Sequence, residues 1–195
     1  DDTYTTGAGT GTSAHKGAPF DSHSVSISSD GLGTLVFHGE GGSSAQSAID
    51  GTAAGDIWDS GFGVTAALDP KTSKATDNML FYTLPSVVDG VSLKASYTPK
   101  GSSAAASMAY AIQYTGVEGL TVDYATGEDD STAGSEADVT TMKASYAYGP
   151  ITVAYSQNEY DGAGTAANTD QEVTSYKVSY TVSDEISISY GEETI

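Results

Sequence analysis

The residues of this chain that carry chemistry are mostly carboxylates. Its 195 residues include 26 Asp and Glu against 7 lysines and no arginine, for a formal net charge of −19. Nucleic-acid binding requires a basic surface, so this composition predicts no nucleic-acid partner. Carboxylates in such excess favour cations, and they raise the cation concentration near the surface that displays them.

Motifs for catalysis are weak. The three histidines, His15, His23 and His38, form no HExxH pattern, and no GxSxG occurs. The glycine-rich stretch GAGTGT at 7–12 lacks both the lysine of a phosphate-binding loop and a following helix, so it reads as a flexible loop. The absence of cysteine excludes disulfides and thiolate metal sites. We predict that the protein is not an enzyme and has no cofactor or metal.

One acidic stretch, GEDDSTAGSEAD at 127–138, has two interpretations. Its carboxylates could hold calcium, although their spacing is not that of an EF-hand loop. The favoured interpretation for Asp129, Asp130, Glu136 and Asp138 is that they are solvated residues of an external loop.

Strict alternation of apolar and polar residues dominates the rest of the chain. In 91–98 the residues Val91, Leu93 and Tyr97 share one face and Ser92, Lys94 and Ser96 share the other. A period of two predicts β-strands with one apolar and one polar face. Ten such segments are found, at 22–29, 33–39, 78–84, 91–98, 107–115, 119–126, 139–148, 150–158, 172–183 and 186–193.

The connections between these segments alternate in length. Tight turns such as SDGLG at 29–33 and TGVEG at 115–119 alternate with long polar loops at 40–77, 99–106, 127–138 and 159–171. One end of the sheet would then carry turns and the other loops. Together with strands of roughly 10 residues, this is typical of outer-membrane β-barrels. We predict one all-β transmembrane antiparallel barrel domain over 1–195.

The recurring stretches LKASYTP, MKASYAY and YKVSYTV fit this barrel. Their unequal intervals exclude a repeat architecture. Tyrosines on the apolar face would lie at the two lipid–water boundaries, where amphipathic rings are favoured. The loop-end girdle comprises Tyr97, Tyr110, Tyr124, Tyr155, Tyr176 and Tyr190, and the turn-end girdle comprises Tyr114, Tyr146, Tyr148 and Tyr180. The polar face would line the lumen with Lys94, Asp123, Lys143 and Lys177.

Two other interpretations remain open. A soluble secreted β-sandwich could place the tyrosine side in its core, although such cores prefer Val, Ile, Leu and Phe. A structural or adhesive surface barrel could use the polar loops for contacts rather than flow. Detergent dependence distinguishes the first from a barrel, and single-channel conductance distinguishes the second from a channel.

Two segments resemble a known family. DGLGTLVFHGEGG at 30–42, followed by a long loop, is similar to the part of Gram-negative general porins that precedes their inward-folded third loop. NMLFYTLPSVVDGVSLKASYTP at 78–99 is similar to the strand–turn–strand that follows that loop. The resemblance implies a trimeric, 16-stranded diffusion channel in the outer membrane. It also implies that this chain, with about ten strands, is an interior portion of a longer porin rather than a closed ten-stranded barrel.

The resemblance assigns a constriction to the loop 40–77. Its acidic groups would be Glu40, Asp50, Asp56 and Asp59, with His38 at its base. Porins oppose such a loop with arginines, and this chain has none. We therefore expect passive diffusion of small hydrophilic solutes and ions, with mild cation selectivity. The expected partners are the lipid bilayer, two further copies in a homotrimer, and the solutes themselves.

Overall fold

The computed structural model describes residues 22–49, 51–54, 70–74, 77–101, 105–130, 136–162 and 170–195. These residues form one sheet of ten antiparallel strands in which every strand pairs with its neighbours in sequence. The strands are β1 (His23–Ser29), β2 (Gly33–Glu40), β3 (Met79–Thr83), β4 (Val91–Thr98), β5 (Ser107–Tyr114), β6 (Leu120–Glu128), β7 (Ala137–Tyr148), β8 (Ile151–Gly162), β9 (Gln171–Ser183) and β10 (Ile186–Thr194). All ten predicted strands are confirmed.

The short turns lie at one end of the sheet, as the spacing predicted. In the β5–β6 turn, Leu120 N donates to Val117 O at 3.0 Å. The same turn requires Gly119, which has a φ of +76° and lies so close to the Ala147 carbonyl that a side chain would clash. Tight turns of this kind fix the register of the strands they join.

The strands at the loop end are longer than the alternation predicted. β6 runs to Glu128, β7 begins at Ala137 and β8 continues to Gly162, with Ala137 opposite Gly162. Apolar alternation stops earlier because Glu128, Asp138 and Asp161 replace apolar residues on the outward face. The backbone ladder does not depend on that alternation, so strand pairing continues into the segments predicted as loops.

The distribution of buried and exposed residues is the reverse of that in a water-soluble sheet. Thr141, Ser156 and Ser175 on the polar face are fully buried, whereas Ile27 and Ile188 on the apolar face are 68% and 65% exposed. Large exposed apolar surfaces mark contact with a partner or a membrane. No helix among the described residues is long and apolar enough to cross a membrane.

The buried layer lies between the polar face and the chain that leaves β2. Ala45 of that chain packs with Ala109, Ala111 and Ala125 of β5 and β6, and Phe81 borders the cluster. Small alanine side chains allow the backbone to approach the sheet closely. The same packing explains why β3 is apolar on both faces, since Met79 and Phe81 are covered from the inside.

The two outer strands of the sheet do not pair with each other. The described strands run in the order β1 to β10, and β1 and β10 each have one neighbour among them. The sheet is therefore not closed within the described part of the chain, and a ten-stranded barrel closed by β1 and β10 is not observed.

Candidate functional site

The polar face of the sheet holds a long stretch of irregular chain. We call residues 41–49 and 51–54 the inner segment, and residues 70–74 the return segment. Backbone N–H groups of the inner segment donate to serine hydroxyls of β4, β8 and β9. These bonds run from Ala45 to Ser96 at 2.9 Å, from Ala53 to Ser156 at 2.8 Å and from Ala54 to Ser175 at 2.7 Å. The inner segment therefore crosses the polar face from β4 to β9.

A buried network around Gln46 joins the two segments to the sheet. Gln46 Nε2 donates to Thr141 Oγ1 at 2.8 Å, and Thr141 Oγ1 donates to Asn158 Oδ1 at 2.5 Å. Gln46 Oε1 accepts from Ser73 N at 2.6 Å, and Asn158 Nδ2 donates to Lys71 O at 3.0 Å. Because buried polar groups are costly without partners, this network holds both segments against the sheet.

The inner segment begins with a compact turn that its own serine stabilises. Ala48 N donates to Ser44 O at 3.0 Å, and Ser47 N donates to Ser44 Oγ at 2.9 Å. The Ser44 and Ser73 hydroxyls lie 2.6 Å apart and are hydrogen bonded. A small residue with a side-chain acceptor suits such a turn because it caps free N–H groups.

Charged residues predicted for the lumen meet on the polar face. Gln113, Asp123 and Lys143 occupy directly opposed positions on β5, β6 and β7. Gln113 Nε2 donates to Asp123 Oδ1 at 2.7 Å, and Lys143 Nζ donates to the carbonyl of Thr52 at 3.3 Å. The wall charges are thus held in fixed positions, one of them against the inner segment itself.

A cavity of about 150 Å³ lies between the inner segment and this wall. Lys94, Asp123 and Lys143 line it from the strands, and Ile49 lines it from the inner segment. Lys177 lies on β9 opposite Ala154 and Gly191, outside that cavity. The structure therefore brings three of the four predicted lumen charges together.

Two predicted constriction residues lie where the inner segment leaves the sheet. His38 is opposite Met79 on β3, and its ring lies edge-on to Phe81 with the centroids 6.5 Å apart. Glu40 is opposite His23. His38 and Glu40 flank the start of the segment and do not line the cavity described above. The other three predicted constriction residues, Asp50, Asp56 and Asp59, lie outside the described residues.

All ten tyrosines predicted for the girdles are exposed, by 37% to 73%. They are Tyr97, Tyr110, Tyr114, Tyr124, Tyr146, Tyr148, Tyr155, Tyr176, Tyr180 and Tyr190. At the loop end, the hydroxyls of Tyr176 and Tyr190 both donate to Glu192 Oε2, at 2.6 and 3.2 Å. At the turn end, the rings of Tyr146 and Tyr148 stack with centroids 6.5 Å apart.

The exposed face changes from apolar to polar just beyond the loop-end tyrosines. On β8, Tyr155 is followed on the same face by Gln157, whose Nε2 donates to Glu159 and Glu172 at 2.8 and 3.1 Å. The tyrosine hydroxyls thus lie between apolar and charged surface, the arrangement favoured by amphipathic rings at a membrane boundary.

Sequence reasoning missed the residues that hold the inner segment. Alternation identified Thr141, Ser156, Asn158 and Ser175 only as members of a polar face. A usable signal was their chemistry, since this face carries hydroxyl and amide side chains and no charged ones near the loop ends of β7, β8 and β9. Gln46 gave no signal, because its partner Thr141 is 95 residues away in the chain.

Comparison with known proteins agrees with these features over almost the whole chain. A family model described as Gram-negative porin matches residues 2–194. A search among curated proteins finds no match. The matched range includes all ten strands and the inner segment, well beyond the two segments in which a resemblance is visible by eye.

Proposed function

Because the chain belongs to the Gram-negative porin family, we propose that it is a passive diffusion channel for small hydrophilic solutes and ions, with a mild preference for cations. Porins are channel proteins of the bacterial outer membrane, and this chain has the corresponding all-β architecture. The observation that carries the proposal is the inner segment, which lies on the polar face while the opposite face exposes apolar side chains.

The proposed passage runs between the inner segment and the polar wall, with the loop 40–77 as its constriction. Ser92 and Gln113 of the wall line the cavity with polar groups that can hydrogen-bond water and hydroxylated solutes. Lys94, Asp123 and Lys143 add charges of both signs around the cavity. Such a surface replaces part of a solute's hydration without binding it strongly, which permits diffusion.

The proposed cation preference rests on carboxylates of the constriction. Glu40, Asp50, Asp56 and Asp59 belong to the loop, whereas the wall supplies the three lysines Lys94, Lys143 and Lys177 and no arginine. In a narrow aqueous passage salt screens these charges incompletely, so they act on passing ions at short range. The loop 40–77 also contains Asp69 and Asp77, and two lysines, Lys71 and Lys74. With Asp123 and the three wall lysines, carboxylates outnumber lysines seven to five, which favours cations mildly.

The test is the reversal potential of the reconstituted channel across a salt gradient. We expect the parent to prefer cations and the triple variant Asp50→Asn, Asp56→Asn, Asp59→Asn to lose most of that preference. A matched control removes three charges at the turn end, Asp89→Asn, Glu118→Gln, Asp184→Asn, and keeps the preference. Anion preference in the parent would overturn the charge argument. Loss of preference in both variants would assign selectivity to net charge rather than to the loop.

We also propose that the channel is a homotrimer and that it catalyses no reaction and needs no cofactor. The trimer is supported by the resemblance of 30–42 and 78–99 to general porins. Cross-linking of the chain in its native membrane, followed by denaturing electrophoresis, tests it: a ladder that ends at three copies is the expected result. A structural or adhesive role would instead give protein in the membrane without single-channel conductance.

A further inference from the structure

The cavity beside the inner segment is bordered by charges of both signs. Lys94 on β4 and Asp123 on β6 both line it, and Asp123 is only 8% exposed. Lys94 is directly opposite Ala111, which is directly opposite Ala125, and Asp123 lies one step from Ala125 on the same face. Because neighbouring strands are about 4.8 Å apart, the backbones that carry the two charges are separated by roughly 10 Å or more.

The two charges do not neutralise each other. Asp123 Oδ1 accepts from Gln113 Nε2 at 2.7 Å, and among the described residues no ion pair joins Asp123 to Lys94. The other carboxylate oxygen of Asp123 is not sealed off from the cavity. Lys94 is partly buried and has no hydrogen bond or ion pair within the described part of the chain. Both charges can therefore accept a partner that enters the cavity.

The remaining lining makes the cavity amphipathic. Lys143 Nζ donates to the carbonyl of Thr52 at 3.3 Å, so its charge is held where β7 meets the inner segment. Ala48 and Ile49 of the inner segment add a small apolar surface. A molecule in the cavity would thus contact two ammonium groups, one carboxylate and a few aliphatic carbons.

The volume of the cavity limits what it can hold. Its 150 Å³ is equivalent to about five water molecules at roughly 30 Å³ each, and an apolar protein cavity of about this volume accommodates a benzene ring. A solute of about five to eight non-hydrogen atoms therefore fits, whereas a sugar or a peptide does not.

The arrangement of charges selects among solutes of that size. A simple cation is attracted by Asp123 and repelled by Lys94 and Lys143, and a simple anion meets the opposite combination. Like charges brought together suppress the wrong partner, and hydrogen bonds between charged groups are the strong ones. A molecule that carries both charges a few ångströms apart satisfies Asp123 and Lys94 at once.

We propose that this cavity is a weak binding site for small zwitterions of the α-amino acid class. Asp123 accepts from the ammonium group of the solute and Lys94 donates to its carboxylate, while Ala48 and Ile49 contact a short aliphatic side chain. The inference rests on the proposed channel, since a solute reaches the cavity through the passage. Binding must be weak, because a channel site has to release what it binds.

Saturation-transfer difference NMR on the full chain in detergent micelles tests the site with L-alanine, for which we expect half-saturation in the millimolar range. Two compounds of nearly the same shape isolate each charge. Lactate has a hydroxyl in place of the ammonium group, and isopropylamine has a methyl in place of the carboxylate. Each should bind at least roughly fivefold more weakly, because one protein charge loses its partner and repels the charge that remains.

Two variants should exchange this preference. Asp123→Asn retains an oxygen that can accept from Gln113, and it should bind alanine at least roughly fivefold more weakly while binding lactate at least as well as the parent does. Lys94→Gln should weaken alanine similarly and lose the discrimination against isopropylamine. Asp89→Asn in the β3–β4 turn and Lys100→Gln in the loop after β4 make the same charge changes outside the cavity and should bind alanine as the parent does.

The proposal is wrong if alanine does not bind the folded parent at millimolar concentration, if the three compounds bind equally, or if the cavity variants match their controls. Far-UV circular dichroism checks the sheet of each variant, and the three compounds on the parent decide the matter even where a variant does not fold. Single-channel conductance of the same preparation keeps the two proposals apart. Conductance without alanine binding overturns only the site, and alanine binding without conductance overturns only the channel.

Discussion

Neighbouring residues on one strand of this protein face opposite environments. On β8, Val153 belongs to the exposed apolar face and lies between Tyr146 and Val178 of the adjacent strands. Thr152 points to the other face, where it is opposite Ser179. Since successive side chains of a strand alternate, the two residues are a matched pair for testing which face meets lipid.

Val153→Arg should destabilise the membrane-inserted protein by roughly 2–4 kcal/mol, the cost of arginine near the middle of the bilayer on a lipid-facing strand. Thr152→Arg should change stability by no more than about 0.5 kcal/mol, as expected for a solvated site. Denaturant unfolding of both variants in lipid vesicles measures the difference. Equal costs on the two faces would contradict the barrel orientation and favour a soluble sandwich.

Asp130 makes stability depend on pH in an identifiable direction. Because its folded-state pKa is raised above 3.8 by burial and then by the charges of Glu128, Glu136, Asp129 and Asp138, the folded protein binds more protons than the unfolded one just above pH 3.8. This contribution to stability therefore falls as pH rises from 3.8 through the raised pKa, and the penalty is complete above it.

Asp130→Asn should remove that dependence and raise the thermal midpoint at neutral pH. The measurement is the thermal midpoint of parent and variant between about pH 4 and pH 8, the range in which a raised Asp pKa has its effect. Asp89→Asn at the turn end is the control. Parallel pH profiles for the parent and Asp130→Asn would contradict the assigned cause.

Among the elements, the strands and the inner segment depend on each other. The strands bury Thr141, Ser156 and Ser175 only because the inner segment covers them. In turn, the inner segment obtains partners for its backbone N–H groups from those hydroxyls. An irregular chain can be buried on a sheet in this way because its polar groups are satisfied by side chains.

Gln46→Ala should loosen the inner segment. It leaves the Ser73 N–H without its acceptor and Thr141 without its donor, and an unsatisfied buried group costs about 1–3 kcal/mol. We expect faster proteolysis within 41–77 and greater current noise in the open channel. Gln157→Ala, which removes an amide from the exposed face of β8, should leave both unchanged. Unchanged current noise in Gln46→Ala would indicate that the inner segment does not border the ion path.

At the scale of the whole molecule, two charge distributions act over different distances. The net charge of −19 acts on the solution around the protein, where salt screens it. Charges beside the cavity, such as Lys94 and Asp123, act on ions at short range. Selectivity that comes from net charge should therefore depend strongly on salt, and selectivity from the passage only weakly.

Cation preference should decrease, but not vanish, when the mean salt concentration of the two sides is raised from about 0.1 M to about 1 M. The Debye length falls over that range from about 10 Å to about 3 Å, so only charges within the narrow passage continue to act. Reversal potentials at a constant concentration ratio measure this. Complete loss at high salt would assign the preference to the mouth and the net charge.

The sequence alone determined which side of the sheet each strand residue occupies. Because side chains alternate with a period of two, the apolar pattern in β4 to β10 assigns every side chain to one face of the sheet. A slip of the pairing by one residue would move every side chain of that strand to the opposite face. The ten strands, the turn end and the outward position of residues such as Tyr155 and Tyr190 followed from this rule. The resemblance to the porin family at 30–42 and 78–99 was also visible in the sequence, because those segments join strands to characteristic turns.

Only the tertiary structure decided which polar residues meet. Gln46 contacts Thr141, and Ala54 contacts Ser175, at separations of 95 and 121 residues. Alternation is a local property, whereas these contacts depend on the path of an irregular segment and on the accumulated register of several strands. The opposition of Glu128, Asp138 and Asp161 has the same origin, because pairing continues past the end of the apolar pattern and brings three acidic strand ends together.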